Sequence, residues 1–460
     1  MERGVSKRQH NRTIALSVLA GMLASPVFAA PALVVTDEIT DTSQSTTTGQ
    51  TNQTGQTNAT TTRRMTDEPE DVTEDRLRPG VYPVQPVPPE FAVANDAPET
   101  VPLDWSVGLR GTYTTSNGQE TFVTRLTPQF TATHNGGIAD LVFSGSAEIA
   151  KANGQDAITV TAGGLSLSAT APIDSNTSVK AGANIGLSQD LPGAVGLSPF
   201  VITPPQIVTG GIDLGVDRRF GQFNVGITGG IDRVNYGPTT RTDTGVTDNS
   251  EQNYWSGNGA LRLGYQFTPV LEVFGQGEVQ RDIFDVQTAS LGVYPNATNR
   301  SLRAGIAGKW NTAWSASASV GVGERVFDEA SLGAFRAQLY GFEVSYTPDP
   351  TVKLTAGLDT TLSPAGADNP GTGRIQYAAF ARAQYDINSW LRVRASADWS
   401  NSELVGTGTT DRRFALGGGA DYVFNKHTSL NADYGYANSD NITSGNTQSH
   451  QVSLGVTISR

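Results

Sequence analysis

Over residues 374–400 the side chains change character with a period of two. Ile375, Tyr377, Ala379, Ala381, Ala383 and Tyr385 fall on one side, and Gln376, Arg382, Gln384 and Asp386 on the other. A turn over 386–389 reverses the chain, and Leu391, Val393, Ala395, Ala397 and Trp399 then alternate with Arg392, Arg394, Ser396 and Asp398. Strands put successive side chains on opposite faces. Each run is about ten residues, the length a tilted strand needs to cross a bilayer. One face is apolar with aromatic ends and the other is charged, so the hairpin separates lipid from water.

The pattern recurs from Asp104 to the end of the chain in about eighteen segments, the even number that a single-chain bacterial barrel requires. The expected fold is all-β: a transmembrane antiparallel up-and-down barrel over 104–460. The fourth segment, 157–169, changes phase at Gly163-Gly164, where a bulge is expected. Connections at 174–176, 218–220, 268–269, 312–313, 347–350, 386–389 and 425–427 are tight. Most of the alternate ones are long: 189–205, 235–253, 283–300, 363–372, 401–412 and 439–447. Tight turns face the periplasm in such barrels and long loops face outward.

All six tryptophans sit at or beside segment ends: Trp105, Trp310, Trp314 and Trp390 near the tight turns, Trp255 and Trp399 at the other rim. Indole is amphipathic and favours the headgroup level, so two interface girdles are expected.

Upstream, residues 1–29 read as a secretory signal. Arg3, Lys7, Arg8 and Arg12 precede an apolar core, and Val27-Phe28-Ala29 offers a small-residue cleavage site. Residues 30–103 are expected to be a disordered periplasmic segment. Its first part is Thr/Gln/Asn-rich and cannot bury enough apolar area to offset ordering entropy. Its second part is proline-rich and extended. It would serve as a spacer, or as a tether for a periplasmic export partner.

The face assigned to the lumen carries both signs of charge. Its basic residues are Arg110, Arg125, Lys180, Arg262, Arg303, Lys309, Arg325, Lys353, Arg382, Arg392, Arg394 and Arg413. Its acids are Asp140, Glu148, Asp213, Glu272, Glu278, Glu343, Asp359, Asp398, Asp421 and Asp433. Against hydrocarbon each would cost a few kcal/mol, so they must be wet or paired. Arg382 and Arg394 are expected side by side, with Asp421 and Asp433 at similar height on the next two strands. Opposed patches would set a transverse field that selects solutes; a ladder that only stiffens the wall would use the same residues. The loop 189–205 is too apolar for an ordinary exposed loop. It would enter the lumen, cap the mouth or pack on the rim.

Chemistry finds little purchase. The net charge of -12 gives no reason to expect nucleic acid. With no cysteine, disulfides, thiolate nucleophiles and Cys-ligated metals are excluded. The histidines are His10 in the signal, His134 and His427 in expected turns, and His450 on the apolar face. A Ser-His hydrolase lacks its base and a zinc site its ligands. No nucleophile elbow occurs, and Gly417-Gly418-Gly419 lies inside a strand rather than before a helix. No catalytic, cofactor or metal site is expected, and no enzyme.

The signal, the proline-rich leader and a Gly/Ala/Tyr-rich barrel with segments such as Gly259-Ala260-Leu261-Arg262-Leu263-Gly264-Tyr265 resemble bacterial outer-membrane β-barrel proteins, most closely the group called putative β-barrel porin 2. The resemblance implies the outer membrane of a Gram-negative bacterium, contact with outer-membrane lipids, insertion by the barrel-assembly machinery, and a channel function. Some members are associated with exopolysaccharide export. One departure is the last residue, Arg460, where such barrels usually carry an aromatic that the assembly machinery recognises. The function expected is a channel for passive or weakly selective passage of hydrophilic solutes. The alternatives are a dedicated exopolysaccharide export channel and a structural or adhesive surface barrel without conductance.

Overall fold

The computed structural model describes residues 101–154, 158–192, 197–198, 200–366, 371–441 and 445–460. The expected signal and all but the last residues of the leader lie outside that set.

Antiparallel strands follow one another along the chain. The first half contains β1 (Leu103–Ser116), β2 (Gln119–Asn135), β3 (Asp140–Ala152), β4 (Thr159–Pro172), β5 (Thr177–Gln189), β6 (Val201–Thr203), β7 (Gln206–Phe220), β8 (Phe223–Tyr236), β9 (Thr239–Arg241), β10 (Gly245–Thr247) and β11 (Tyr254–Thr268). The second contains β12 (Leu271–Phe284), β13 (Ala297–Trp310), β14 (Trp314–Phe327), β15 (Ala334–Tyr346), β16 (Val352–Ser363), β17 (Gly373–Asn388), β18 (Leu391–Val405), β19 (Thr409–Asn425), β20 (Thr428–Asn441) and β21 (Gly445–Ser459). All but β6, β9 and β10 form one 18-stranded sheet, and β1 pairs with β2 on one side and β21 on the other, which closes it. Closure leaves no edge to be satisfied by lipid, as spanning strands require. Each expected segment has its strand.

The outer face is apolar. Leu302 is 65% exposed and Leu454 66%, and similar residues recur on every strand. Burying a side chain of this size is worth about 1.5–3 kcal/mol, so a belt of them left in water would be strongly unfavourable. Lipid is the medium that covers it. No helix among the described residues is long and apolar enough to cross a membrane; the strands do the crossing.

Four expectations are corrected. The loop expected over 401–412 shrinks to 406–408, because Asn401 pairs with Arg412 and Glu403 with Thr410. Outward residues there are polar, so the apolar signal stops at the hydrocarbon limit while backbone pairing continues. The same extension places Trp399 inside β18 rather than near its end, although it is still the last apolar outward residue before Asn401 and Glu403. The bulge of β4 falls at Thr161: Glu148 pairs with Ala162 and Ile149 with Val160, leaving Thr161 over. Thr161 turns its hydroxyl to Glu148 at 2.7 Å, which the glycines at 163–164 could not do. His134 lies in the last residues of β2, not in a turn.

Candidate functional site

On most strands the charged candidates are out of phase with the exposed apolar residues; on β17 the exposed Phe380 shares the face of Arg382. Arg262 lies between Leu261 and Leu263, Asp213 between Ile212 and Leu214, and Arg303 beside Leu302, all of these neighbours exposed. Arg110, Asp140, Lys309, Lys353 and Arg413 follow the same phase beside Leu109, Leu141, Trp310, Leu354 and Phe414. In a closed sheet the opposite face is the interior.

There the charges pair across strands. Arg110 meets Asp433 at 3.2 Å, Arg125 meets Glu148 at 3.1 Å, and Lys180 meets Asp217 at 2.6 Å. Arg262 meets Glu272 at 2.7 Å, Arg303 meets Asp359 at 2.9 Å, and Arg392 meets Asp386 at 2.6 Å. Arg394 lies between Asp421 and Asp433, 2.9 Å from each. Arg382 is not beside Arg394. The turn is tighter than expected, with a register shift between Asp386 and Asn388, so Arg382 faces Ser396 and Arg394 faces Gln384. Arg382 instead donates to Asp398 at 2.6 Å.

Arg325 is paired with Asp282 at 2.6 Å, and neither side chain is exposed at all. Asp282, Asp217 and Asp386, beyond the candidate residues, supply acids of this network, and Arg374 donates to the Ala365 carbonyl at 2.9 Å. Their parity is legible in the sequence, but Asp282 and Arg374 sit at segment limits, where alternation marks a face least clearly. Asp213 and Asp232 stand apart. They occupy neighbouring strands, lie flat over Gly182 and Gly211 where any side chain would collide, and take no ion pair among the described residues. No three His, Asp or Glu side chains among the described residues converge as metal ligands.

Two segments narrow the interior near the long-loop end. The first follows β5. Leu191 packs on Val123, Ala150 and Ala152 of β2 and β3, so the chain turns inward rather than over the rim. Asp190 is buried, and burial pushes its carboxyl up to about 7 against the opposing pull of Arg413 on β19. Strands β4, β3, β2, β1, β21 and β20 lie between β5 and β19, so the inward segment comes within electrostatic reach of the far wall. Further on, β6 pairs with β9, and the Thr242 amide donates to the Phe200 carbonyl at 2.8 Å, tying this loop to the next. Residues 193–196 of the loop lie outside the described set.

The second segment is the β16–β17 hairpin. β15 and β16 pair only from Gly341–Asp359 to Tyr346–Leu354. Beyond that the Tyr340 amide donates to the Thr360 hydroxyl at 3.1 Å, and Arg303 donates to the Thr360 carbonyl at 2.8 Å. Leu362 then crowds the inner side of Gly323, and Gly373 lies against the Phe335 ring. The strand expected over 352–362 therefore leaves the wall and leans inward. Beside it Ile207, Val234, Tyr254 and Phe284 form a small apolar core, with the Tyr254 and Phe284 rings 5.1 Å apart.

At the short-turn end Trp310 pairs with Trp314, Trp314 stacks near Tyr346 with centroids 4.1 Å apart, and Trp390 lies 5.4 Å from Tyr422. Trp105 is in the first turnward residues of β1, and at the opposite end the Arg233 guanidinium sits over the Trp255 ring.

A closed barrel with a lipid-facing skin and an ionised interior is a porin-like outer-membrane barrel of a Gram-negative bacterium. The chain belongs to the family described as putative beta-barrel porin 2, whose model matches residues 110–460. Among solved structures it is similar to OpdK of Pseudomonas aeruginosa with vanillate, at 12% identity and TM-score 0.40, covering 78% of this chain and 99% of that one. OccK3 (OpdO) of the same organism matches at 12% identity and TM-score 0.38, with 78% and 96% covered. Its siderophore receptor PirA matches at 8% identity and TM-score 0.40, with 78% and 80% covered. No curated protein matches the sequence.

Proposed function

We propose that this protein is a channel for passive, weakly selective passage of small hydrophilic solutes. A ring of eighteen strands is wide enough to hold water. The observation that carries the reading is the pairing of the inner wall: nine of the twelve candidate cations there have an acid within contact distance. Paired charges hydrate a passage yet leave little net field along it, so they favour polar solutes without strongly sorting ions. The charged candidates, from Arg110 and Arg125 to Asp421 and Asp433, are its pore lining. The segment after β5 and the leaning β16–β17 hairpin set its size limit. The six tryptophans hold the barrel at the two interfaces.

Proteoliposome swelling tests this. Uncharged sugars should enter at rates that fall steeply with size, and small acidic and basic solutes of equal size should differ little. Vesicles that swell in none of them would refute a passage.

A further inference from the structure

The lipid-facing skin carries a dent. A concavity of about 660 Å³ crosses β19, β20, β21 and β1, floored by Ala420, Ala432 and Gly111 and walled by Leu430, Leu454 and Leu109. Across the same strands at other levels the outward residues are bulky, such as Tyr434, Phe414 and Ile458. Small residues account for the hollow: Ala420 and Ala432 face each other across β19 and β20, Leu454 of β21 rises beside them, and Gly111 lies beyond it against the Phe122 ring.

The lower end of the hollow lies beside Tyr422 and Leu430, which flank the turn between β19 and β20. That turn contains Lys426 and His427, both exposed and without an acid beside them in sequence. It is fixed to the end of β21: the His427 Nδ1 donates to the Ser459 carbonyl at 2.9 Å, and the Ser459 amide donates to the His427 carbonyl at 2.9 Å. The next residue is Arg460, exposed, its amide donating to Trp105 at 2.9 Å. Asp104, close to Arg460 in this pairing, is on the inner face by its phase against Leu103 and Trp105. The β4–β5 and β15–β16 turns at this end instead carry an acid, Asp174 and Asp349.

We infer that this hollow and the basic turn beneath it form a binding site for an anionic phospholipid of the periplasmic leaflet. The apolar hollow takes an acyl chain, since it opens at hydrocarbon depth, where chains are the surrounding medium. Lys426 and Arg460 lie at headgroup level and attract the lipid's negative charge, with His427 between them. A second copy of this barrel would cover the hollow too, but it would bring its own Lys426 and Arg460 towards like charges. Short turns mark the periplasmic side, so the site belongs to that leaflet.

The test is native mass spectrometry of the full-length mature protein released from detergent, supplied with phosphatidylglycerol, phosphatidylethanolamine or inorganic phosphate. The wild type should retain phosphatidylglycerol over phosphatidylethanolamine, and free phosphate should not displace it. K426Q and R460Q should each lower retention of the anionic lipid on the order of fivefold, leaving the zwitterionic lipid unchanged. Filling the hollow with Ala432→Phe should reduce both lipids, and channel conductance of K426Q should equal that of the wild type. Equal retention of the two lipids by the wild type would overturn the site. So would an undiminished preference in the K426Q/R460Q variant, displacement by phosphate, or loss of lipid only when the protein dimerises. These outcomes are independent of whether the lumen conducts.

Discussion

Arg325 of β14 and Asp282 of β12 meet at 2.6 Å across the intervening strand β13, with neither side chain reached by solvent. Asn299 on β13 accepts from the same Arg325 nitrogen at 3.0 Å, and Ser256 donates to Asp282 at 2.8 Å. The pair joins the wall to the apolar core that lines the outer half of the interior. Asp282→Ala leaves a buried cation uncompensated and should destabilise the barrel by about 3–5 kcal/mol. Replacing both with apolar residues, Asp282→Leu with Arg325→Met, should recover most of that loss. Urea unfolding followed by gel mobility of unboiled samples measures both.

Asp190 gives the inward segment a pH dependence. Its carboxyl is pushed up to about 7 by burial, against the pull of Arg413. A raised carboxyl means that the docked segment binds the proton more tightly than the released one. Docking is therefore favoured most below about pH 4 and weakens by about 1.4 kcal/mol per unit as pH rises to about 7, then levels. Conductance should be larger at pH 8 than at pH 5. Asp190→Asn should be flat over that range and stay at the low-pH value. A wild type that conducts less at pH 8 would contradict this assignment.

Asp213 and Asp232 are neighbouring acids of the inner wall that take no ion pair among the described residues. They should give the passage a mild preference for cations. Removing both charges as D213N/D232N should move the potassium-to-chloride permeability ratio towards unity. Removing a paired charge elsewhere, as in Lys180→Gln, should push the ratio towards cations because Asp217 is then left alone.

Much of this was readable from the chain and some was not. Strand number and facing followed from alternation, since a two-residue period forces Arg262 away from Leu261 and Leu263. Ion pairs such as Arg394 with Asp421 and Asp433 followed from parity plus turn position. The register of Arg382 did not, because one tighter turn slides the pairing by two residues and keeps every face unchanged. Neither did the inward lean of β16 above Asp359. Its sequence stays strand-like, and only tertiary contacts of Leu362 with Gly323 decide where it goes. Asp190 was illegible for the same reason: nothing local marks a loop carboxylate that a distant arginine faces.

The tryptophan girdles make a claim about depth. Quenching of the barrel's fluorescence by lipids brominated at different chain positions should be strongest close to the headgroup and weakest at the bilayer centre. Trp310→Phe with Trp314→Phe should lower the total signal but leave that depth profile unchanged.

The most direct measurement is single-channel recording of the purified full-length protein in a planar bilayer. A water-filled lumen bounded by paired charges predicts discrete, voltage-tolerant current steps with a permeability ratio close to unity, slightly favouring cations. A barrel that inserts, migrates differently on gels before and after boiling, and yet never gives a step at pH 5 or pH 8 would contradict a channel.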